Sequence, residues 1–268
     1  MTALELLDER PGLPPDELTP RLAELYGGGL GLAEPCLVAN FVQTIDGVVA
    51  IAGVERSNAL IAADSDGDRF LIALLRAFAD VVLLGAATMV ASPTSTWRPA
   101  GPFPAAEDEL AELRRRRGRG ERPVVAVVTT GRSLPVGHPA LEHDSIVLTT
   151  DDGAERLRGQ LPGTAEIVAV NDGPRVDLVL AVAALRARGH SVVVSEAGPH
   201  TFAELAAAGL VDELFLTQSP LLAGRGGDVR YGLAEGLTLL PGNHAAAELL
   251  SVRRAGSHVF LRYGLQQG

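Results

Sequence analysis

Two short stretches place small residues and a threonine directly after an apolar run. Gly85-Ala86-Ala87-Thr88 follows "VVLL", and Gly198-Pro199-His200-Thr201 follows "VVVSEA". A helix that starts as a strand ends presents unpaired backbone N–H groups and a positive dipole end, the setting in which phosphate binds. Small residues there let the backbone approach a pyrophosphate, and the Thr88 and Thr201 hydroxyls can each donate a hydrogen bond. An ordinary strand-to-helix turn has the same composition, so each stretch taken singly leaves both readings open. Arg76 is a third point of interest, because it lies within the apolar stretch "FLIALLRAFADVVLL". A guanidinium there must reach water or an anion. Either it pairs with Asp80 one turn on, worth about 0.3–0.5 kcal/mol if exposed, or it aims in bidentate fashion at a substrate phosphate or carboxylate.

Other chemistries find no residues to carry them. All 23 basic residues are Arg, so a catalytic Lys, a Schiff base and a P-loop are excluded. Six histidines show no ligand spacing, and metal is not expected. Neither a Gly-x-Ser-x-Gly elbow nor a Gly-x-Gly-x-x-Gly fingerprint occurs. The single Cys36 sits in "PCLVANF" and reads as a buried structural thiol, so no disulfide or thiolate cluster forms within one chain. A net charge of −10 argues against nucleic acid or an anionic membrane surface as partner. The cluster Arg114 to Arg117 with Arg119 ends a polar helix and reads as a solvated face. The acidic N-terminus lacks a signal-peptide pattern, and the longest apolar stretch is broken by Arg76 and Asp80. The expectation is a soluble cytoplasmic protein.

These residues need a scaffold, and the chain supplies one. Residues 1–35 are rich in Pro and Gly and read as a flexible N-terminal extension. From residue 36 to 268 continuous Val/Ile/Leu runs alternate with helical segments, which predicts one α/β domain with a mostly parallel central sheet and helices on both faces. "CLVANFVQ", "DVVLLG", "PVVAVVTT", "SIVLTT", "EIVAV", "SVVVSE" and "DELFLTQSP" are the expected strands. "AAAELLSVRR" and "SHVFLRYGL" are expected to close the sheet as an antiparallel edge pair.

Three segments occur in a telling order: "VANFVQTIDGVVA", "LLRAFADVVLLGAAT" and "VVVSEAGPHTFAELAAAGLVDELFLTQSPLLAG". Together they resemble the reductase family of riboflavin biosynthesis, the 5-amino-6-(5-phosphoribosylamino)uracil reductases and their dihydrofolate-reductase-like relatives, in its stand-alone actinobacterial branch. Thr44-Ile45-Asp46-Gly47 stands where the family's first strand ends in Ser-Leu-Asp-Gly. Gly209 to Leu214, then Pro220 and Gly224, match its last block. The resemblance implies a dihydrofolate-reductase-like fold, NADPH as cofactor, a small-molecule substrate and a homodimer formed through the C-terminal strands. It implies that Gly198, Pro199, His200, Thr201 and Phe202 wrap the NADPH pyrophosphate, with Val42, Gly85 and Thr88 beside the cofactor. Thr130 would lie near its adenosine 2′-phosphate, and Arg132 is added here as a partner for that phosphate. On the substrate side the matching residues are Ser57, Arg76 and Glu196, with Asp46 shaping the nicotinamide pocket. The family's Asp-Asp-Pro pattern is replaced by "MVASPTSTWRP", in which Ser92 takes the first aspartate's place and Arg98 stands near a missing arginine. No deaminase zinc signature is present, so the activity implied is reduction alone. Asp68 would be the proton-supporting carboxylate of a dihydrofolate-reductase-type activity on a pterin, or else a plain helix N-cap. A non-catalytic nucleotide-binding protein of the same fold is the remaining alternative.

Overall fold

The computed structural model describes residues 3–240 and 246–266. His244 and the first residue of the expected strand, Ala245, lie outside the described residues. In chain order the first elements are β1 (Glu5–Glu9), α1 (Pro20–Tyr26), β2 (Cys36–Gln43), β3 (Ala50–Ile51) and α2 (Ser57–Ile61). Next come α3 (Asp66–Phe78), β4 (Val81–Gly85), α4 (Ala86–Ala91), α5 (Glu107–Arg116) and β5 (Val124–Val128). Then follow β6 (Ser145–Thr150), α6 (Asp151–Leu157), β7 (Ala165–Asn171), α7 (Leu178–Ala187) and β8 (Val192–Ser195). The last are α8 (Pro199–Ala207), β9 (Glu213–Gln218), β10 (Arg230–Tyr231), β11 (Ala247–Ala255) and β12 (His258–Leu265).

Ten strands form one sheet in the order β1-β11-β12-β9-β2-β8-β4-β5-β6-β7. The run from β9 to β7 is parallel throughout, and β12, β11 and β1 continue it antiparallel. This is the expected α/β architecture. The central strands are apolar on both faces because both are covered: α1, α3 and α5 pack on one side, α7 and α8 on the other. The helix α3 shows how local signals fix an element. Ser65 accepts from the Asp68 N–H at 3.2 Å as N-cap, acidic residues fill the first turn, and Phe70, Leu74 and Phe78 face the core.

Two expectations are corrected here. The N-terminal extension is not a flexible lead-in. Its strand β1 pairs with β11, and Leu22, Leu25, Tyr26 and Leu30 are buried in the main core. The signals were present beneath the Pro/Gly composition: Thr19 caps α1, Pro20 opens it, and Gly27 ends it at φ 72°. Gly27 is needed for space as well, since a Cβ there would lie 2.0 Å from the Leu4 carbonyl oxygen. Arg253, almost fully buried, fastens the segment by donating to the Tyr26 carbonyl at 3.0 Å and to Glu9 at 2.7 Å. Its guanidinium also stacks on the Tyr26 ring at 3.9 Å. The second correction follows from the first. β11 and β12 are not the sheet's edge, because β1 folds back to occupy it.

Candidate functional site

The site is built where parallel strands end. β4 and β8 are neighbours in register from Val81↔Val193 to Leu83↔Ser195, so the turns into α4 and α8 lie side by side. A Cβ built on Gly85 would sit 3.6 Å from the Thr201 hydroxyl. The two stretches singled out in the sequence therefore form one surface. At the start of α8, Gly198 is the N-cap without any side-chain cap, Pro199 occupies the first turn, and no acidic residue stands there. A Cβ on Gly198 would meet nothing within 4 Å. The amino end of α8 thus offers uncapped N–H groups, open space and a first turn without a carboxylate, which fits a phosphate.

The flanks of this surface are fixed by packing. Phe202 meets Phe41 edge-on at 5.1 Å between ring centres. The His200 ring lies 5.6 Å from that of Tyr231, and the Glu235 N–H donates to the Pro199 carbonyl at 3.3 Å. The segment 230–236 thereby covers one side of the helix start, a feature the sequence reading missed because β10 is only two residues long. Val42 lies buried on β2, and Thr88 is half-buried on α4. Thr130 and Arg132 follow β5, the next strand after β4, so they extend the same row of carboxyl ends. The Thr130 carbonyl accepts from Arg156 at 2.8 Å, while Arg132 is exposed.

Arg76 is found with a partner. Its guanidinium donates to both carboxylate oxygens of Glu196 at 2.6 and 2.7 Å. The side chains are only 10% and 14% exposed, so the pair is largely desolvated. Arg76 also donates to the Arg98 carbonyl at 3.4 Å. The arginine does not pair with Asp80, one turn on; it holds Glu196 at the end of β8. Asp80 instead accepts from the Ser191 and Val192 N–H groups at 2.7 and 2.8 Å and pairs with Arg119.

The two aspartates differ sharply. Asp46 accepts from the Thr44 hydroxyl at 2.6 Å, from the Ala223 N–H at 3.0 Å and from the Gly224 N–H at 2.8 Å. These bonds, the Thr44 one foremost, hold its carboxyl down at about 2 and clip the end of β2 to the loop 220–224. At neutral pH it is ionised and has no proton to give. Asp68 is not the N-cap of α3, since Ser65 has that role. Asp68 is 3% exposed, between the helix and the sheet, and burial pushes its carboxyl up to about 6. It lies beside Thr217, close enough for that hydroxyl to lower it somewhat, yet neither Asp68 Oδ1 nor Thr217 Oγ1 closes a bond of normal geometry.

The remaining substrate-side residues are dispersed. Ser57 is buried at the start of α2 and its hydroxyl accepts from the Ile51 N–H at 3.2 Å, leaving its proton free to donate. The Ser92 carbonyl lies 3.0 Å from His138 Nε2, whose Nδ1 accepts from the Ala140 N–H at 3.1 Å. The two bonds together require the Nε2–H tautomer. Arg98 has an exposed side chain that lines a separate cleft with Leu110, Arg115 and Arg122. Only its backbone reaches the Arg76–Glu196 pair.

A family model for the RibD C-terminal domain matches residues 35–261. The chain belongs to that family. It is the reductase family of the riboflavin pathway, as the resemblance of the three segments implied. A pyrimidine reductase-like protein from Corynebacterium diphtheriae superposes with a TM-score of 0.67 at 19% identity, over 87% of this chain and 93% of that one. RibD from Acinetobacter baumannii gives 0.62 at 18% identity over 91% of this chain, which spans 60% of that longer protein. The riboflavin biosynthesis reductase Rib7 from Saccharomyces cerevisiae gives 0.59 at 14% identity, over 92% and 99% of the two chains. At such identities the likeness is one of fold. No curated protein matches the sequence. Among the described residues, no helix of this RibD C-terminal domain is long and apolar enough to cross a membrane.

Proposed function

We propose that this RibD-family chain is an NADPH-dependent reductase of a pyrimidine ribosylamine phosphate. The observation that carries the reading is the uncapped amino end of α8, with open space at Gly198 and Thr201 next to Gly85. NADPH, when bound, supplies the hydride that reduces an imine-like carbon of the substrate. The chain's own part is to hold and orient. Gly198 to Phe202, Gly85 and Thr88 receive the pyrophosphate, with Val42 at the wall, and Thr130 and Arg132 receive the 2′-phosphate one strand further along. Asp46 fixes the floor of the nicotinamide side by anchoring the loop 220–224. Ser57, Ser92 and the Arg98 backbone border the substrate, and Arg76 orients the Glu196 carboxylate next to it. The assembly is a homodimer through the end of the sheet where β1, β11 and β12 lie and where Leu6, Leu7 and Leu249 are exposed. Light scattering that returned a monomer at micromolar protein would overturn that part.

One observation favours a second reading. Asp68 is a protonatable buried carboxyl, the group a dihydrofolate-reductase-type reaction on a pterin requires, although it faces Thr217 rather than open solvent. The test of function is a turnover assay with purified protein and NADPH, following the loss of reduced-nicotinamide absorbance. Oxidation with the pyrimidine ribosylamine phosphate is expected. Oxidation with dihydrofolate alone selects the second reading, and binding of NADPH without turnover of either makes the chain a non-catalytic nucleotide-binding member of the fold.

A further inference from the structure

The opposite end of the sheet holds an unassigned cleft. Asp80, Val124, Asp144 and Ser191 stand at or just before the amino ends of β4, β5, β6 and β8, and they line an open cleft of about 630 Å³. Its other wall is the arginine cluster at the end of α5 together with Arg122. The sequence reading treats that cluster as a solvated face, yet Arg117 and Arg119 have side chains only 6% and 9% exposed.

The cleft's own carboxylates satisfy these cations only in part. Glu17 and Glu34 pair with Arg117, while Glu34 and Asp80 pair with Arg119. Even so, Arg117 Nε, Arg119 Nε and Arg122 Nη1 are buried without an acceptor. Arg116 and Arg122 enter no ion pair with the described residues. Burial lowers the pKa of both Arg117 and Arg119, the mark of guanidiniums whose desolvation exceeds what their partners return. These buried nitrogens are out of a ligand's reach, but Arg116 and Arg122 line the cleft without ion pairs and leave charge for an acceptor-rich anion to meet. No Phe, Tyr or Trp lines the cleft, so nothing there would stack a base. Gly118 and Gly120 leave the approach open, since a Cβ on either would meet nothing within 4 Å.

We propose that this cleft is a second anion site that binds a compact ligand carrying more than one phosphate, through Arg116, Arg117, Arg119 and Arg122. It is separate from the α8 site, at the other end of the same strands, and does not depend on what that site binds.

Calorimetric titration with sodium pyrophosphate tests this on three proteins: wild type, the double variant Arg116→Gln/Arg122→Gln, and Gly198→Ala. The two arginines make no ion pairs, so the double variant is expected to keep the wild-type melting temperature. The binding that depends on the arginines should be the same in wild type and Gly198→Ala, whatever binds at α8, and about tenfold or more weaker in the double variant. Arg116→Gln alone, at an exposed position, should weaken binding in the same direction. No binding by wild type at millimolar pyrophosphate overturns the proposal. So does binding that Gly198→Ala weakens and the double variant leaves unchanged, because the ligand would then sit at α8.

Discussion

Replacing Arg76 with Met tests whether the pair it forms with Glu196 is part of the site's framework. The variant keeps the aliphatic volume and removes the guanidinium, leaving a Glu196 carboxylate that is 14% exposed with no cation. Removing one partner of a buried pair costs roughly 3–5 kcal/mol. The residual exposure of both side chains lets water reach the orphaned carboxylate, so the lower end, roughly 3 kcal/mol, is expected. For a domain of this size that lowers the melting temperature by roughly 6–12 °C. Thermal unfolding followed by circular dichroism gives the value. Glu196→Gln should cost a similar amount, because it leaves the guanidinium with half its partner. The double variant Arg76→Met/Glu196→Gln should lose clearly less than the sum of the two, by roughly 1–3 kcal/mol. Additive losses, or single losses below about 1 kcal/mol, would refute the claim that the pair is desolvated and coupled.

Three further variants address other residues. Asp46→Asn removes a carboxyl held at about 2 against an ordinary 3.8, so the stability it contributes is present above about pH 4 and lost as pH falls through 2; the acid-unfolding curve of the variant should lack that part of its slope. Asp68 has the opposite sign. Its carboxyl is raised to about 6, so its ionisation costs stability that appears as pH rises above 3.8 and is complete above 6. Asp68→Asn should therefore raise the melting temperature at pH 8, by an amount worth roughly 2–3 kcal/mol, and give no gain at pH 3; a loss at pH 8 would contradict it. Arg132→Ala should weaken NADPH binding by about tenfold and leave NADH binding unchanged, as measured by fluorescence titration, if its charge meets the 2′-phosphate.

Much of the scaffold was legible in the sequence because burial and periodicity coincide. Continuous Val/Ile/Leu runs mark strands covered on both faces, and "CLVANFVQ" and "SIVLTT" match β2 and β6 residue for residue. The strand-to-helix turns at Gly85 and Gly198 were legible too, since small residues after an apolar run are a local signal and need no distant contact. What stayed hidden depends on long-range partners. Arg76 and Glu196 are 120 residues apart in sequence, and nothing near either announces the other. Arg253 and Tyr26 are separated still further, which is why a Gly-rich N-terminal segment looked free when it is clamped. Of the two readings the sequence left open for Asp68, the helix cap falls because Ser65, three residues earlier, satisfies the helix start. The arginine run looked solvated because its composition is polar. Only the fold, which turns Asp80 and Glu34 towards it, makes it the wall of a cleft.

The central claim is that the open amino end of α8 receives the cofactor's phosphates. Fluorescence titration of NADPH against wild type and Gly198→Ala tests it most directly. Gly198 has φ −68° and nothing within 4 Å of its added Cβ, so alanine should leave the melting temperature unchanged or raised, by up to about 1 kcal/mol of stability. The same methyl group would occupy the space left for phosphate, and NADPH affinity should fall by about tenfold or more. Equal affinity in the two proteins, with the fold intact, would place the cofactor elsewhere and contradict the account.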